Sequence, residues 1–381
     1  MQRKAKYMKK LDRTRLSAAI EARAASDLSL CNIGGAAALV AQDGEILYEN
    51  YFGESESFFG APAPDTLYRL ASMTKPITAV ATMILVDRGL LSLEDRVETF
   101  YPAFSSMKVQ LADGTLADNA VPITLRHLLT HSSGIGSGTV WSELVSRITE
   151  REREGVEAFV ELLSESPLSF VPGTQSEYSA IGAFSVLTGI IQKVTGLPYE
   201  EFLKRELFEP CRMVDTTFSP TKEQWGRLIT MHDKVDGRHA VGQTVEGCVF
   251  ETFSPESYLG GAGLISSMPD YANFARMLLN GGVFEGRRVL SVEAVAELSR
   301  PQVAKRGHEK WGLGVRVATE PENTLPLGAY GWSGAYGTHF WVDPANRIFA
   351  VYMKNCRYDG GSGAVTSKNF EVDVYGSLSE V

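Results

Sequence analysis

The stretch RLASMTKPITAV, residues 69–80, sets Ser72 three residues ahead of Lys75 at the mouth of an apolar run. Residues three apart on a helix share a face, so the amine can reach the hydroxyl, and the helix N-terminus adds partial positive charge that favours an alkoxide. A lysine in the interior needs a partner or gives up its charge. A neutral amine beside a serine is a proton acceptor, and the pair is then an activated nucleophile. The same spacing recurs at Ser105 and Lys108, among turn residues, and at Ser219 and Lys222, where Ser219 followed by Pro220 reads as a helix cap. From the local string alone, Ser72 as a simple cap with Lys75 reaching to solvent stands as the alternative.

The elements that must hold such a pair are legible in outline. GGAAALVAQDGEILYENYFG gives two apolar runs around Asp43-Gly44, the dipeptide of a tight hairpin. From Ser72 to Gly89, apolar residues at 73, 77, 80 and 84 predict one long buried helix closed by a left-handed Gly89. Residues 90–254 read as a mostly helical insertion, including YSAIGAFSVLTGIIQKVTG with Ile181, Phe184, Leu187, Ile191 and Val194 on one stripe. MPDYANFARMLLNGG then predicts a helix ended by glycine, and WGLGVRVA, YGWSG, GTHFWVD and RIFAVYM predict strands. Residues 1–89 and 255–381 therefore form one discontinuous sheet domain, and the whole is an α+β chain: an antiparallel sheet flanked by helices, with the site where the insertion meets it.

Composition removes several classes of function. The chain has 381 residues, 44% hydrophobic and 22% charged, enough for two domains around separate cores. A net charge of −9 supplies no field for a phosphate backbone, so nucleic acid is excluded as a partner. The basic start MQRKAKYMKKLDRTR runs into LSAAIEARAASD without the apolar core of a secretory signal, and reads as a solvated helix start. The longest strongly apolar stretch, Ile77 to Val86, is far short of the ~20 residues that span a bilayer. Cys31, Cys211, Cys248 and Cys356 lie far apart, without paired spacing, and read as inert thiols of a reducing, cytoplasmic compartment. No metal or cofactor motif is present.

Two further segments complete a pattern. PGTQSEYSAIGAF brings Tyr178 to the point where a loop enters a helix, and YGWSGAYGTHFWVDP sets Trp332-Ser333-Gly334 on a strand edge followed by Ala335. With SMTK these resemble the three site motifs of the serine β-lactamase-like superfamily, in the branch of class C β-lactamases, D-alanyl-D-alanine carboxypeptidases and family VIII carboxylesterases. ITLRHLLTHSSGI, VTGLPYEEFLKRELFEP, LGGAGLISSMPDYANFARMLLNGG and FWVDPANRIFAVYM resemble its framework in order, so the likeness covers about residues 33–355.

The resemblance implies a β-lactamase/penicillin-binding-protein-like fold, with Ser72 the acylated nucleophile, Lys75 the amine that takes its proton and Tyr178 a proton-transfer group. It also implies an oxyanion hole from the Ser72 and Ala335 N–H groups, substrate contacts from Trp332, Ser333 and Gly334, and no cofactor. The family's Tyr-x-Asn is Tyr178-Ser179-Ala180 here, and its Lys-Thr-Gly is Trp332-Ser333-Gly334. The lost amide and cation point away from anionic amide substrates and toward a carboxylesterase acting on small neutral acyl esters. A β-lactamase or D-amino-acid peptidase, an acyltransferase, and a penicillin-recognition protein without turnover are the other readings.

Four more residues invite chemistry. His127 and His131 stand four apart, but no third ligand motif accompanies them, and they read as framework. His339 shares a strand side with Ala335 and is near the site without being needed by a lysine–tyrosine pair. Trp141, after a glycine-rich loop, suits either the rim of the cleft or the core. The chain contains no complete Gly-x-Ser-x-Gly, so a nucleophile elbow of the α/β-hydrolase kind is absent.

Overall fold

Asp43 and Gly44 both take left-handed backbone angles, φ 54° and 86°. A two-residue turn of that kind matches the twist of its flanking strands, and it joins Gly35–Gln42 to Glu45–Gly53 as an antiparallel pair. In the computed structural model, which describes residues 9–53, 61–242, 253–304, 309–320 and 324–379, this hairpin closes one edge of an eight-stranded antiparallel sheet. Counting inward from the hairpin, the sheet continues through Ile348–Lys354, His339–Asp343, Tyr330–Ser333, Arg316–Ala318, Glu309–Trp311 and Val303–Ala304.

Strand alternation explains why the central strands contain hardly any polar side chains. Ala37, Leu39, Ala41, Phe349, Val351 and Met353 join one hydrophobic cluster, while Ala36, Ala38, Val40, Ile348, Ala350 and Tyr352 join another. Both faces are covered, so both sets of alternating positions are apolar. The first cluster is continuous from the sheet into the helices of the middle of the chain, taking in Leu125, Phe159, Phe184 and Leu187. The two clusters are therefore divided by the sheet. The Met268–Leu279 helix lies on the first face, and Arg13–Ser29 and Val365–Gly376 pack together on the other.

The helix that carries Lys75 runs from Thr74 to Asp87 behind a short 3₁₀ turn, Ala71–Met73. Pro76 sits in its first turn, where a missing N–H costs nothing. Gly89 ends it at φ 68°, with Leu90 N–H reaching back to Leu85 O at 2.9 Å, the bond that closes a Schellman cap. Twelve of its fourteen residues, Thr74 to Leu85, are buried, because it packs between the Gly182–Thr195 helix and the Val292–Leu298 helix.

Several local expectations change. WGLGVRVA is not one strand but two, Glu309–Trp311 and Arg316–Ala318, since a Cβ at Gly314 would sit 2.7 Å from Ala79 Cβ where the chain crosses the Lys75 helix. Ser219 does not cap the next helix. Thr221 does, accepting from Gln224 N–H at 3.2 Å, and Ser219 Oγ donates to Glu200 instead. Two small hairpins, 108–118 and 232–241, interrupt the helical region. Cys31 is partly exposed, Cys211 and Cys356 are buried, and all three are free; Cys248 lies outside the described residues. No helix among the described residues is long and apolar enough to cross a membrane.

Candidate active site

Ser72 opens onto a cleft of about 530 Å³ whose lining also includes Tyr178, Trp311, Trp332, Ser333 and Ala335. Two tertiary ties bring two of its three sequence-distant segments together. Thr338 Oγ1 donates to Leu70 O at 3.0 Å, and Gly334 lies so close to the same carbonyl that a Cβ there would be 2.2 Å from it. Only glycine permits that approach, which seats residues 332–335 against the turn bearing Ser72. Ala71, just before Ser72, is held at φ 46°.

Tyr178 is fixed by its neighbours in sequence. Glu177 N–H donates to His131 O at 3.0 Å and Ser179 N–H to His131 Nδ1 at 3.2 Å, so one buried histidine brackets the tyrosine on both sides. The imidazole also packs on the phenol ring, with centroids 4.7 Å apart. His131 is thus a positioning residue, whereas its sequence neighbour His127 caps its own helix, Nδ1 accepting from Thr124 N–H at 3.2 Å. Among the described residues no group of three ligand-type side chains could hold a metal.

The three polar groups meet at the serine. Tyr178 OH donates to Ser72 Oγ at 2.7 Å, and Lys75 Nζ lies 3.2 Å from the same oxygen. Lys75 Nζ also donates to Ala180 O at 2.6 Å and Gly261 O at 2.8 Å. Its side chain is fully buried, and no charged partner among the described residues offsets that burial. Burial drives the amine well below the usual lysine range. The Tyr178 ring, 4.8 Å from Nζ, would favour an ammonium by about 0.5–2 kcal/mol; desolvating the charge costs roughly several kcal/mol and wins. A neutral amine fits the contacts one for one: two N–H bonds to the two carbonyls and a lone pair toward the serine hydroxyl.

Burial pushes the Tyr178 phenol up to about 12, against the opposing pull of the Ser72 hydrogen bond and a polar contact with Trp332. At neutral pH the phenol therefore keeps its proton. A base, a hydroxyl and an acid in contact can activate an oxygen nucleophile and return a proton to a leaving group. Ser72 and Ala335 both line the cleft, each with a backbone amide. Such amides are the donors an oxyanion requires.

A family model described as Beta-lactamase matches residues 18–369. The chain belongs to the β-lactamase family. Esterase EstB of Burkholderia gladioli is 30% identical over 386 residues, covering 93% of this chain and 94% of the esterase. Protein Rv1367c of Mycobacterium tuberculosis is 32% identical over 363 residues, covering 88% of this chain and 89% of its own. Among solved structures, EstCE1, described as a hydrolase with promiscuous acyltransferase activity, superposes with a TM-score of 0.82 at 23% identity, over 96% of this chain and 99% of that one. The fold is accordingly the β-lactamase and penicillin-binding-protein-like α+β fold, and at family level the protein is a serine hydrolase.

Trp332 lines the cleft beside Ser333. Its ring packs 4.7 Å from Trp311 and 5.6 Å from Tyr178. Trp311 stacks on Tyr178 with an interplanar angle of 12° and was invisible in the sequence, where it reads as the start of a strand. Trp141 packs on Gly136 and is not part of the cleft lining. Glu177 is the one charged residue among the described lining residues.

Proposed function

We propose that this protein is a carboxylesterase for small neutral acyl esters, acting through an acyl-Ser72 intermediate. As Ser72 Oγ attacks the ester carbonyl, its proton passes to Lys75 Nζ, and the Ser72 and Ala335 amides receive the oxyanion. Tyr178 hands a proton to the departing alkoxide and regains one at the expense of the Lys75 ammonium. Water then enters by the same steps in reverse and frees the acid. The observation that carries this reading is Ser72 Oγ held 2.7 Å from Tyr178 OH and 3.2 Å from Lys75 Nζ on a cleft.

The choice of a neutral substrate is supported by the lining. Three aromatic rings and one carboxylate, with no lysine or arginine among the described lining residues, offer no cation to an anionic group. EstB, at 30% identity, carries the name esterase. Labelling with a fluorophosphonate followed by peptide mass spectrometry should place the adduct on Ser72. Steady-state rates on p-nitrophenyl esters, a chromogenic cephalosporin and a D-alanine anilide should favour the esters. An adduct elsewhere, or a cephalosporin preferred over every ester, refutes the proposal.

Acyl transfer is the second reading. The cleft of about 530 Å³ has room for an alcohol beside an acyl group, and EstCE1 is described as having acyltransferase activity. Adding a small alcohol to the assay and measuring new ester against free acid separates the two outcomes.

A further inference from the structure

Behind Ser333 a buried polar chain leads away from the cleft. Ser333 and His339 face each other across antiparallel strands, and Ser333 Oγ lies 2.9 Å from His339 Nδ1. On the other side of the ring, His339 Nε2 meets Glu371 Oε1 at 2.9 Å in an oblique approach. Glu371, on the Val365–Gly376 helix, is held in turn by Arg316 and Thr324 Oγ1, with Lys368 Nζ at 3.2 Å. Ser333, His339, Arg316 and Glu371 are each 2% exposed or less.

The proton positions follow from these contacts. Burial works to raise the Glu371 carboxyl, but the His339 contact and the charges of Arg316 and Lys368 hold it well below the usual carboxylate range. An ionised carboxylate only accepts, so an imidazole nitrogen facing it at 2.9 Å is attracted only if it carries the proton. Burial lowers the His339 imidazole below its ordinary range, with Glu371 opposing and Arg316 and Lys368 reinforcing. A neutral ring protonated on Nε2 leaves Nδ1 as a lone pair. Ser333 has one hydrogen and must direct it there. What remains on its oxygen is acceptor capacity, and Ser333 is part of the cleft wall beside Ala335.

We propose that His339 and Glu371 fix Ser333 as a hydrogen-bond acceptor in the cleft, so that the site selects acyl groups bearing a hydroxyl or amide N–H near the scissile carbonyl and rejects those bearing a carboxylate there. His339 and Glu371 are positioning residues, and Ser333 touches substrate. The substrate half of this inference rests on the esterase reading. The proton half rests on the contacts of this buried chain and on the protonation states that they impose, and is independent of that reading.

The test compares p-nitrophenyl 3-hydroxybutyrate, p-nitrophenyl butyrate and p-nitrophenyl hemisuccinate on one enzyme, so that ratios of kcat/KM cancel any difference in folded fraction. The wild type should prefer the hydroxy ester to butyrate and disfavour the hemisuccinate. Ser333→Ala should lower the hydroxybutyrate-to-butyrate ratio by roughly three- to tenfold, the worth of one hydrogen bond. His339→Leu frees the Ser333 hydrogen to donate and should raise the hemisuccinate-to-butyrate ratio. An unchanged ratio in Ser333→Ala, or a lower hemisuccinate ratio in His339→Leu, overturns the proposal. Imidazole ¹⁵N spectra of the wild type, with the His339→Leu spectrum giving the assignment and Ser333→Ala as the second assigning variant, provide a readout free of turnover. An Nε2–H tautomer at neutral pH supports the proposal, and an imidazolium or an Nδ1–H tautomer overturns it. If none of the esters turns over while the Nε2–H tautomer is found, the esterase reading falls and the Ser333 acceptor stands.

Discussion

Replacing Lys75 by methionine preserves much of the side chain's length and apolar packing and removes the amine. The carbonyls of Ala180 and Gly261, which accept from it at 2.6 and 2.8 Å, lose their donor. Two buried acceptors left unsatisfied cost roughly 2–6 kcal/mol in total, independent of pH. Against this stands a term that does depend on pH. The unfolded chain carries Lys75 protonated below its ordinary value of 10.5, whereas burial lowers the folded value well beneath it. In that window the unfolded state binds one proton more than the native state, so wild-type stability rises with pH by about 1.4 kcal/mol per unit. The variant lacks the titration. The difference in unfolding free energy, wild type minus Lys75→Met, should therefore widen by about 2.7 kcal/mol between about pH 7.5 and about pH 9.5. Urea or guanidinium unfolding of both proteins at several pH values measures it, and every other titrating group cancels in the difference. A gap that stays constant over that interval means that the native lysine keeps its proton, and the assignment of Lys75 as a neutral base falls with it.

Other perturbations follow from the same contacts. Tyr178→Phe removes the donor 2.7 Å from Ser72 Oγ and should lower kcat by several orders of magnitude, with Lys75→Ala added to it costing little more, since members of one catalytic unit are not additive; near-normal kcat would make Tyr178 a packing residue. Trp332→Lys should move the ratio of kcat/KM for anionic over neutral substrates upward by roughly tenfold, the value of one charge-assisted hydrogen bond of about 1.5–3 kcal/mol reduced by the lost contact with Trp311; a folded variant with an unchanged ratio refutes that role. Gly334→Ala places a methyl 2.2 Å from Leu70 O and should lower unfolding free energy by about 1–3 kcal/mol, read by denaturant midpoint, together with a fall in fluorophosphonate labelling rate.

The sequence displayed what depends on neighbours along the chain and hid what depends on neighbours across it. Asp43-Gly44, the stripe from Met73 to Ile84 and the left-handed Gly89 are local, and each element they predict is present. The Ser72–Lys75 spacing is a property of one helix turn, so it too could be seen. Trp311 could not, because it enters the cleft from a strand broken at Gly314 for the sake of a distant helix. Neither could the bracket around Tyr178, formed by a histidine 47 positions away from it, with Nδ1 accepting from Ser179. His339 was visible as a neighbour of the site, but its tautomer depends on Glu371, a helix residue that no spacing connects to it. Ser219 before Pro220 reads as a cap, but Thr221, two residues on, offers the same hydroxyl chemistry and Glu200 takes Ser219 away.

The left-handed backbone at Ala71 has a consequence for engineering. A non-glycine residue at φ 46° costs about 1–2 kcal/mol and persists only where its surroundings impose it. Those surroundings include the Leu70 carbonyl pinned by Thr338 and the close approach of Gly334. The proposed nucleophile is therefore not a cassette. Residues 69–80 moved onto another helix start would relax to right-handed angles at Ala71 and turn the serine away from its amine's lone pair, so that a graft must bring the turn at 334–338 with it. A scaffold search for such a graft is best keyed on the backbone distance between these two loops, since the Ser-x-x-Lys string also occurs at Ser105 and Ser219, away from the cleft.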